Sequence, residues 1–388
     1  MRHAHSADPP GAAIHVLLPD MSNPLTSAEP VLPAEFATRL VRWQRQHGRH
    51  DLPWQNTRDP YRVWLSEVML QQTQVSTVLG YYARFLARFP DVTALAAAHT
   101  DDVMGLWSGL GYYSRARHLH RCAQEVVTVH GGVFPRQAKQ LQTLPGIGRS
   151  TAAAIASLCF DERIAILDGN VKRVLTRLLA FEADLAQSAA EQQLWSLAQA
   201  LLPKRQQDMP AYTQGVMDLG ATLCTRAKPR CEACPVRALC LAAQRDEVAK
   251  FPVKTRKLRR TAESLWGLLA LNAQDEVLLV KRPSRGIWAE LHCLPMFAQA
   301  QDCMAPLPAA VVQRAVSLPV VKHVLTHKDL HLHIQRVQLG TAQARQLAQT
   351  VSGRWYAPGE WVELGLPTPV RQLLKQTLGH PAHGDGAT

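Results

Sequence analysis

From Pro33 to about Gln244 the apolar residues recur at helical spacing, and beyond a basic stretch the pattern changes to strand alternation. Helical neighbours share a face every three or four residues, whereas strand residues alternate faces, so one segment cannot satisfy both patterns. The change predicts an all-α region followed by a smaller α+β domain. In the first, Phe36, Leu40, Val41 and Trp43 form one face of an opening helix, and Tyr61–Gln72, Val75–Arg88, Ser114–His130 and Glu191–Leu202 read as further helices. That is more helix than one hairpin bundle needs, and two lobes with a cleft between them is the natural arrangement. In the second, Leu265–Leu271 and Val277–Lys281 flank the polar turn Asn272–Asp275 as a β-hairpin. His331–Gln338 alternates, Arg354–Tyr356 is a short strand, and Pro369–Leu378 ends the domain as a helix.

Residues 1–32, rich in Pro, Ala, His and Ser, are expected to be a disordered extension. The helical region takes residues 33–248, a linker 249–260, the second domain 261–378, and a short disordered tail 379–388. Lys250–Arg260 holds six basic residues, one proline and no acid, which suits a connector running along a polyanion as well as a solvated one. The 388 residues include 43 Lys plus Arg against 31 Asp plus Glu, a net charge of +12. That balance favours nucleic acid or another acidic surface as partner. No run nears the length of about eighteen apolar residues that a membrane span needs. Ile14–Leu18 is too short for a signal core, and the chain reads as a cytoplasmic monomer.

Three stretches carry chemistry. The first runs from Leu141 to Arg173. Pro145 ends one helix, and Gly146 and Gly148 permit a tight turn with positive φ. Arg149-Ser150-Thr151 open an alanine-rich helix, with Ser150 or Thr151 as its cap. Such a turn presents bare backbone N–H groups at a helix start, where an anion such as phosphate fits. Asp168 follows the apolar Ile164–Leu167 and precedes Gly169 and Asn170. It reads as the N-cap of a helix Val171–Ala180, a role compatible with a chemical one.

The second stretch is the helix around Glu67. Val63, Trp64, Leu70 and Gln71 lie three and four residues away, so the carboxyl sits on a largely apolar face. Desolvation there raises a carboxylic acid's pKa and fits it to donate a proton near neutral pH; an ion pair with Arg62 or with a distant arginine is the plainer alternative. The third is Cys224, Cys231, Cys234 and Cys240, spaced C-x6-C-x2-C-x5-C. Structural zinc usually shows two close pairs. One pair among four thiolates suits a 4Fe–4S cluster. Arg226, Lys228 and Arg230, between the first two of these cysteines, fit a loop set against phosphates. Cys122, Cys159, Cys293 and Cys303 share no such pattern and read as ordinary buried thiols.

Together these residues resemble the helix–hairpin–helix DNA glycosylases, which include endonuclease III and the MutY family of adenine glycosylases. LPWQ at Leu52–Gln55 and DPYRVWLSEVMLQQTQV at Asp59–Val75 resemble the MutY motif almost residue for residue. The resemblance implies that Glu67 protonates the departing adenine, that Asp168 stabilises the cationic sugar or traps it, and that Asn170 lies near both. It implies Gln72 as a wedge in the base stack. It places Tyr112, within GLGYYSRAR at Gly109–Arg117, beside the lesion base. Gly146, Gly148, Ser150 and Lys172 are expected at the DNA backbone, and the cysteine spacing is similar to that of the family's 4Fe–4S loop. VLLVKRPSRGIWAELHCLP at Val277–Pro295 resembles the opening of a Nudix domain. The acid-rich metal helix of Nudix hydrolases is missing, since Phe297–Leu307 holds Asp302 as its one acid. This Nudix-like domain is expected to read 8-oxoguanine through Thr326 and His327, where the family commonly has Phe-Ser-His and this chain has Leu325-Thr326-His327. His323, His327, His331 and His333 have no supporting acids or cysteines and do not favour a metal.

Glycosylases that also cut the strand place a lysine just after the hairpin, to form a Schiff base. Ser150 stands there, which points to hydrolysis alone. The expected activity is removal of adenine paired with 8-oxoguanine or guanine in double-stranded DNA. An endonuclease III-like glycosylase and lyase is weakened by Ser150 and by the second domain. A silent DNA-binding module would have no reason to keep both Glu67 and Asp168.

Overall fold

The computed structural model describes residues 32–255 and 260–379. The expectations of disorder for the N-terminal extension and the tail, and the basic run Arg256–Arg259, fall almost wholly outside the described residues. The helical region holds α1 (Phe36–His47), α2 (Pro60–Leu70), α3 (Val75–Arg88), α4 (Val92–Ala97), α5 (Thr100–Trp107) and α6 (Ser114–His130). It continues with α7 (Ala138–Leu141), α8 (Arg149–Phe160), α9 (Gly169–Leu178), α10 (Ser188–Ala200), α11 (Met209–Thr222) and α12 (Leu241–Gln244).

Two apolar cores divide these helices. One gathers Trp64, Leu65, Met69, Phe85, Trp107 and Leu119 from α2, α3, α5 and α6. The other gathers Phe36, Leu40, Val174, Leu194 and Val216 from α1, α9, α10 and α11. Helix α8 is the wall between them. Its Ala152, Ile155 and Ala156 join the first core, while Ala153 and Ala154 join the second. The alanine run has a structural purpose: a helix buried on both sides must be thin for two lobes to close on it.

Helix α2 is buried on most of its circumference, through Tyr61, Val63, Trp64, Leu65, Val68 and Met69. Asp59 caps it by accepting from the Tyr61 N–H at 2.9 Å, and Pro60 takes the first position, where a missing N–H is no loss.

The second domain is a mixed sheet of β1 (Thr261–Leu271), β2 (Val277–Lys281), β3 (His292–Cys293), β4 (Met296–Phe297), β5 (Val316–Ser317), β6 (Val321–Val324), β7 (Lys328–Gln338) and β8 (Arg354–Tyr356). The path runs β3-β2-β1-β7-β5, with β4 on β1, β6 on β7 and β8 on β2. The expected hairpin is β1 with β2, antiparallel, with Leu271 opposite Val277. The central pairing is parallel, β1 with β7, from Thr261↔Lys328 to Leu271↔Gln338. Both strands begin earlier than their alternation shows. Helices α13 (Ala300–Met304), α14 (Ala309–Val312) and α15 (Thr341–Thr350) accompany the sheet, and α16 (Thr368–Leu378) closes the domain. Leu268, Ala270 and Leu278 bury one face with Cys303 and Leu347, while Leu269, Leu271 and Leu279 bury the other.

That second face is continuous with the first helical core, so the sheet domain is seated on α5 and α6. The Tyr113 hydroxyl donates to the Leu366 carbonyl at 2.8 Å, and Arg117 Nη1 donates to the Ala289 carbonyl at 2.8 Å. Lys281 pairs with Asp101 at 2.7 Å. The seat leaves no room for side chains at two glycines. A Cβ on Gly105 would lie 2.1 Å from the Glu363 carbonyl oxygen, and one on Gly365 would lie 2.7 Å from Met104 Cβ. The described ends of the linker are likewise held: Phe251 is buried on the helical side, and Arg260 bonds the Leu325 carbonyl on the sheet side.

Candidate active site

A cleft of about 810 Å³ opens between the lobes. It falls in the range of roughly 300–1,000 Å³ that small-molecule sites occupy. Glu67, Gln71, Gln72, Ser150, Asp168 and Asn170 all line it, although they are spread over a hundred residues of sequence.

Glu67 is the part of α2 that the apolar packing leaves facing the cleft. It is half-buried, and among the described residues it makes no ion pair; Arg62 turns instead to Asp59, at 3.6 Å. Burial pushes its carboxyl up to about 7, with the negative charge of Asp168 adding to the effect. Asp168 stands at the start of α9 and accepts from the Val171 N–H at 2.7 Å, so the expected cap is observed, with the helix beginning two residues earlier than its pattern suggests. Burial raises the Asp168 pKa too. The N–H groups of Val171 and Asn170, and the charges of Arg173 and Lys172, pull it back. Two carboxyls thus share one cleft, and among the described residues only Asp168 has donors and cations to hold its negative charge. The repulsion runs from the supported carboxylate to the unsupported acid.

Asn170 is fixed by Arg173, whose Nη2 donates to Asn170 Oδ1 at 2.8 Å and to the Gly220 carbonyl at 2.7 Å. Lys172, expected to reach phosphate, is drawn instead to Glu191 at 2.8 Å. The hairpin departs from expectation in detail. Gly146 has φ +76, and a Cβ there would fall 2.5 Å from His118 Cβ. Gly148 is extended, with φ −80 and ψ 170, and is itself the N-cap of α8. Ser150 is therefore not the cap. Its Oγ accepts from the Leu167 N–H at 3.1 Å, which ties the hairpin helix to the segment ending at Asp168. Among the described residues no side chain caps α8, which leaves its first-turn N–H groups available to an anion.

Gln72 and Tyr112 both occupy the left-handed region, with φ +57 and +48. Both are exposed, Tyr112 at 45%. Of the paired tyrosines only Tyr112 is presented; Tyr113 is buried at the domain seat. The Tyr112 and Thr326 hydroxyls lie 3.2 Å apart, within hydrogen-bonding distance. Residues 214 apart in sequence, singled out separately, are brought together there. His327 is exposed beside Thr326.

Cys224, Cys231, Cys234 and Cys240 line one cavity walled by Leu178, Leu219 and Val236. All four are free thiols and half-buried. Among the described residues, no three His, Cys, Asp or Glu side chains converge on one ion position. Burial pushes the Cys234 thiol up to about 11, and the other three cysteines push the same way. Arg177 Nη1 donates to Cys224 Sγ at 3.3 Å, and Arg173 Nε donates to the Cys224 carbonyl at 2.7 Å. Helix α9 thus carries Asp168 at its head and the supports of the cysteine loop one and two turns on. Sequence reading missed Arg173 and Arg177, because nothing in a basic helix distinguishes a guanidinium facing carbonyls from one facing solvent. The remaining cysteines are buried as expected, and burial pushes Cys159 and Cys293 up to about 12.

A two-lobed helical frame with a hairpin at the mouth of a two-carboxyl cleft defines a class, and the comparisons give the same one. Residues 65–200 match the family described as HhH-GPD superfamily base excision DNA repair protein, and residues 266–376 match the NUDIX domain. The chain is 33% identical to the adenine DNA glycosylase of Buchnera aphidicola subsp. Acyrthosiphon pisum (strain APS), over 88% of this chain and 97% of that one. It is 35% identical to the adenine DNA glycosylase of Mus musculus, over 89% of this chain and 78% of that one. A solved thermostable thymine-DNA glycosylase is 28% identical, with a TM-score of 0.47, over 54% of this chain and 95% of its own. The chain belongs to the adenine DNA glycosylase family.

Proposed function

We propose that this chain hydrolyses the N-glycosidic bond of adenine paired with 8-oxoguanine or guanine in duplex DNA and leaves the strand intact. The observation that carries the reading is the unequal carboxyl pair in one cleft: Glu67, without an ionic partner among the described residues and held as an acid up to about 7, and Asp168, capped and flanked by cations. In this reading the adenine leaves the stack and enters the cleft. Glu67 gives its proton to a ring nitrogen as the bond from sugar to base breaks, and the electron pair departs with the base. The Asp168 carboxylate faces the cationic sugar, directly or by covalent capture, until water adds at the same carbon. Ser150 lines the cleft where a lyase would hold its amine, and its hydroxyl is tied to backbone. Gly146 and Gly148 take the phosphate chain, Gln72 and Tyr112 fill the vacated stack, and Thr326 and His327 read the opposite base. Asp302 is the one acid of Ala300–Met304, so reading rather than Nudix hydrolysis suits the second domain.

The cysteine set also belongs to this reading. A tetrahedral zinc needs four sulfurs about 2.3 Å from one point. Thiols spread around one apolar-walled cavity fit a 4Fe–4S cluster, in which each thiolate serves its own iron. Cys224, Cys231, Cys234 and Cys240 would hold it, and bound there it would supply stiffness to the basic loop at Arg226, Lys228 and Arg230. Purified protein should be brown, with about four irons per chain; colourless, fully active protein carrying zinc would refute this.

The test of function is single-turnover incubation with labelled duplexes containing one A:8-oxoguanine or A:G pair. Adenine should be released, and strands should stay whole until alkali is added. Absence of base release would sink the activity. Strand scission at neutral pH, trapped by borohydride on a lysine, would make the enzyme a lyase.

A further inference from the structure

We infer that Arg115 is a positioning residue that holds the two loops presented to the duplex, an inference that rests on the reading of Gln72 and Tyr112 above. Arg115 lies in the first turn of α6 and is 8% exposed. Among the described residues no carboxylate pairs with it. Its two terminal nitrogens turn to backbone carbonyls and one hydroxyl instead, while Nε is buried without a partner among the described residues. Nη1 donates to the Val68 and Met69 carbonyls, both at 2.8 Å. Nη2 donates to Thr73 Oγ1 at 3.1 Å, to the Leu110 carbonyl at 3.3 Å and to the Gly111 carbonyl at 3.2 Å. The guanidinium carbon stands 5.3 Å from the Trp107 ring centre and 5.5 Å from that of Tyr112.

One planar group therefore joins three segments: the end of α2 just after Glu67, the turn Gln71–Thr73, and the loop Gly109–Tyr112. The carbonyls at the end of α2 form the negative pole of that helix, which stands in for a counter-ion. The two segments beyond it carry two left-handed residues, Gln72, which lines the cleft, and Tyr112, whose hydroxyl meets Thr326 of the sheet domain. Neither is glycine, and such conformations persist only where surroundings over-determine them. Arg115 supplies that determination on both sides at once, and the Trp107 indole adds one bond to the Gly111 carbonyl, at 3.1 Å. Lysine cannot replace it, because an ammonium is a point charge that cannot span the fork between α2 and the loop. The burial of its donors also removes Arg115 from the phosphate-binding surface that a basic helix would suggest.

The test compares Arg115→Lys in the full chain with the same change in a Gln72→Ala, Tyr112→Ala background. Adenine release from an A:8-oxoguanine duplex is measured in single turnover, and backbone hydrogen exchange is followed without DNA. In the otherwise native chain, release should slow by on the order of 10²-fold, the effect of misplacing groups by about 1 Å. Exchange should quicken at 70–73 and 109–113 and stay unchanged in α9 and α11. In the double-alanine background the further loss should be under about threefold, because the positioned side chains are gone. Release within about threefold of the native chain overturns the inference. So does a loss of full size in the double-alanine background, or exchange that rises throughout, which marks a residue of general stability only. Should Arg115→Lys fail to fold, Thr73→Val removes one acceptor of Arg115, together with the long 3.4 Å bond from Thr73 Oγ1 to the Gln71 carbonyl; it should loosen 70–73 and slow release by a smaller factor, and no change in either overturns the inference. A native chain that releases no adenine defeats the proposed activity instead, and exchange at the two loops still decides Arg115.

Discussion

The cleft and the sheet edge at Thr326 are each assembled from parts of the chain a hundred residues or more apart, by opposite means. Glu67 and Asp168 are anchored by elements buried on most sides: α2 packs nearly all round, and Asp168 is bonded into the head of α9. Thr326 and His327 lie in an exposed turn between β6 and β7, and the Tyr112 hydroxyl, on the other domain, lies within hydrogen-bonding distance of Thr326. The difference teaches which task needs which environment. A proton donor must be desolvated to hold its proton near neutral pH, so it belongs in a packed region. A reader of a base edge must meet a partner that arrives from solvent, so it belongs on a turn supported by a rigid sheet.

The sharpest way to break the comparison is at Glu67. Glu67→Gln should bind lesion DNA and lose about 10² to 10⁴ in single-turnover adenine release, the usual worth of a general acid. The native enzyme should itself slow as pH rises through about 7, because the acid form is then lost; a flat profile from pH 6 to 8 would remove Glu67 as the donor. Next comes Asp168→Asn. The amide can still accept from the Val171 N–H, so folding should hold while release falls by on the order of 10² to 10³. Loss of fold with full activity per folded molecule would leave Asp168 a cap and nothing more.

At the sheet edge the effects should be smaller and confined to preference. Thr326→Ala with His327→Ala should leave excision opposite guanine nearly intact and lower the preference for 8-oxoguanine about tenfold, which corresponds to 1.4 kcal/mol. An unchanged ratio at fixed salt would mean the helical region reads the lesion alone. Point substitutions serve here better than deletion of the domain, since its apolar face is continuous with the core around Trp107. The last effect is thermodynamic and leaves the reaction untouched. The folded chain holds the Glu67 proton up to about 7, while an ordinary carboxylic acid releases it at 4.5. Between those values the unfolded chain has lost the proton that the folded chain retains, so stability falls as pH rises across the window. Melting of Glu67→Gln should therefore improve relative to the native chain from pH 5 to 8, by on the order of 1–3 kcal/mol. Parallel melting curves would show that Glu67 ionises freely and that the cleft is wetter than its packing indicates.

The sequence by itself determined the elements and the chemical candidates. Helical spacing marked α3 and α6 to the residue, strand alternation marked β2 and β8, and the apolar neighbours of Glu67 announced a raised pKa. These are local signals: periodicity, capping chemistry and cysteine spacing depend on residues within a few turns of one another. The hairpin was legible for the same reason, although only the fold showed that Gly148 rather than Ser150 caps α8. Tertiary structure alone decided the rest. The parallel pairing of β1 with β7 joins strands that no turn links. The seating of the sheet on α5 depends on glycines whose neighbours, Glu363 and Met104, lie on the opposite domain. The fates of Arg115 and Lys172 could not be read, because a basic side chain carries the same charge whether it meets backbone carbonyls, a neighbouring glutamate or a phosphate. Which partner it takes is set by long-range packing, and that exists only once the chain has folded.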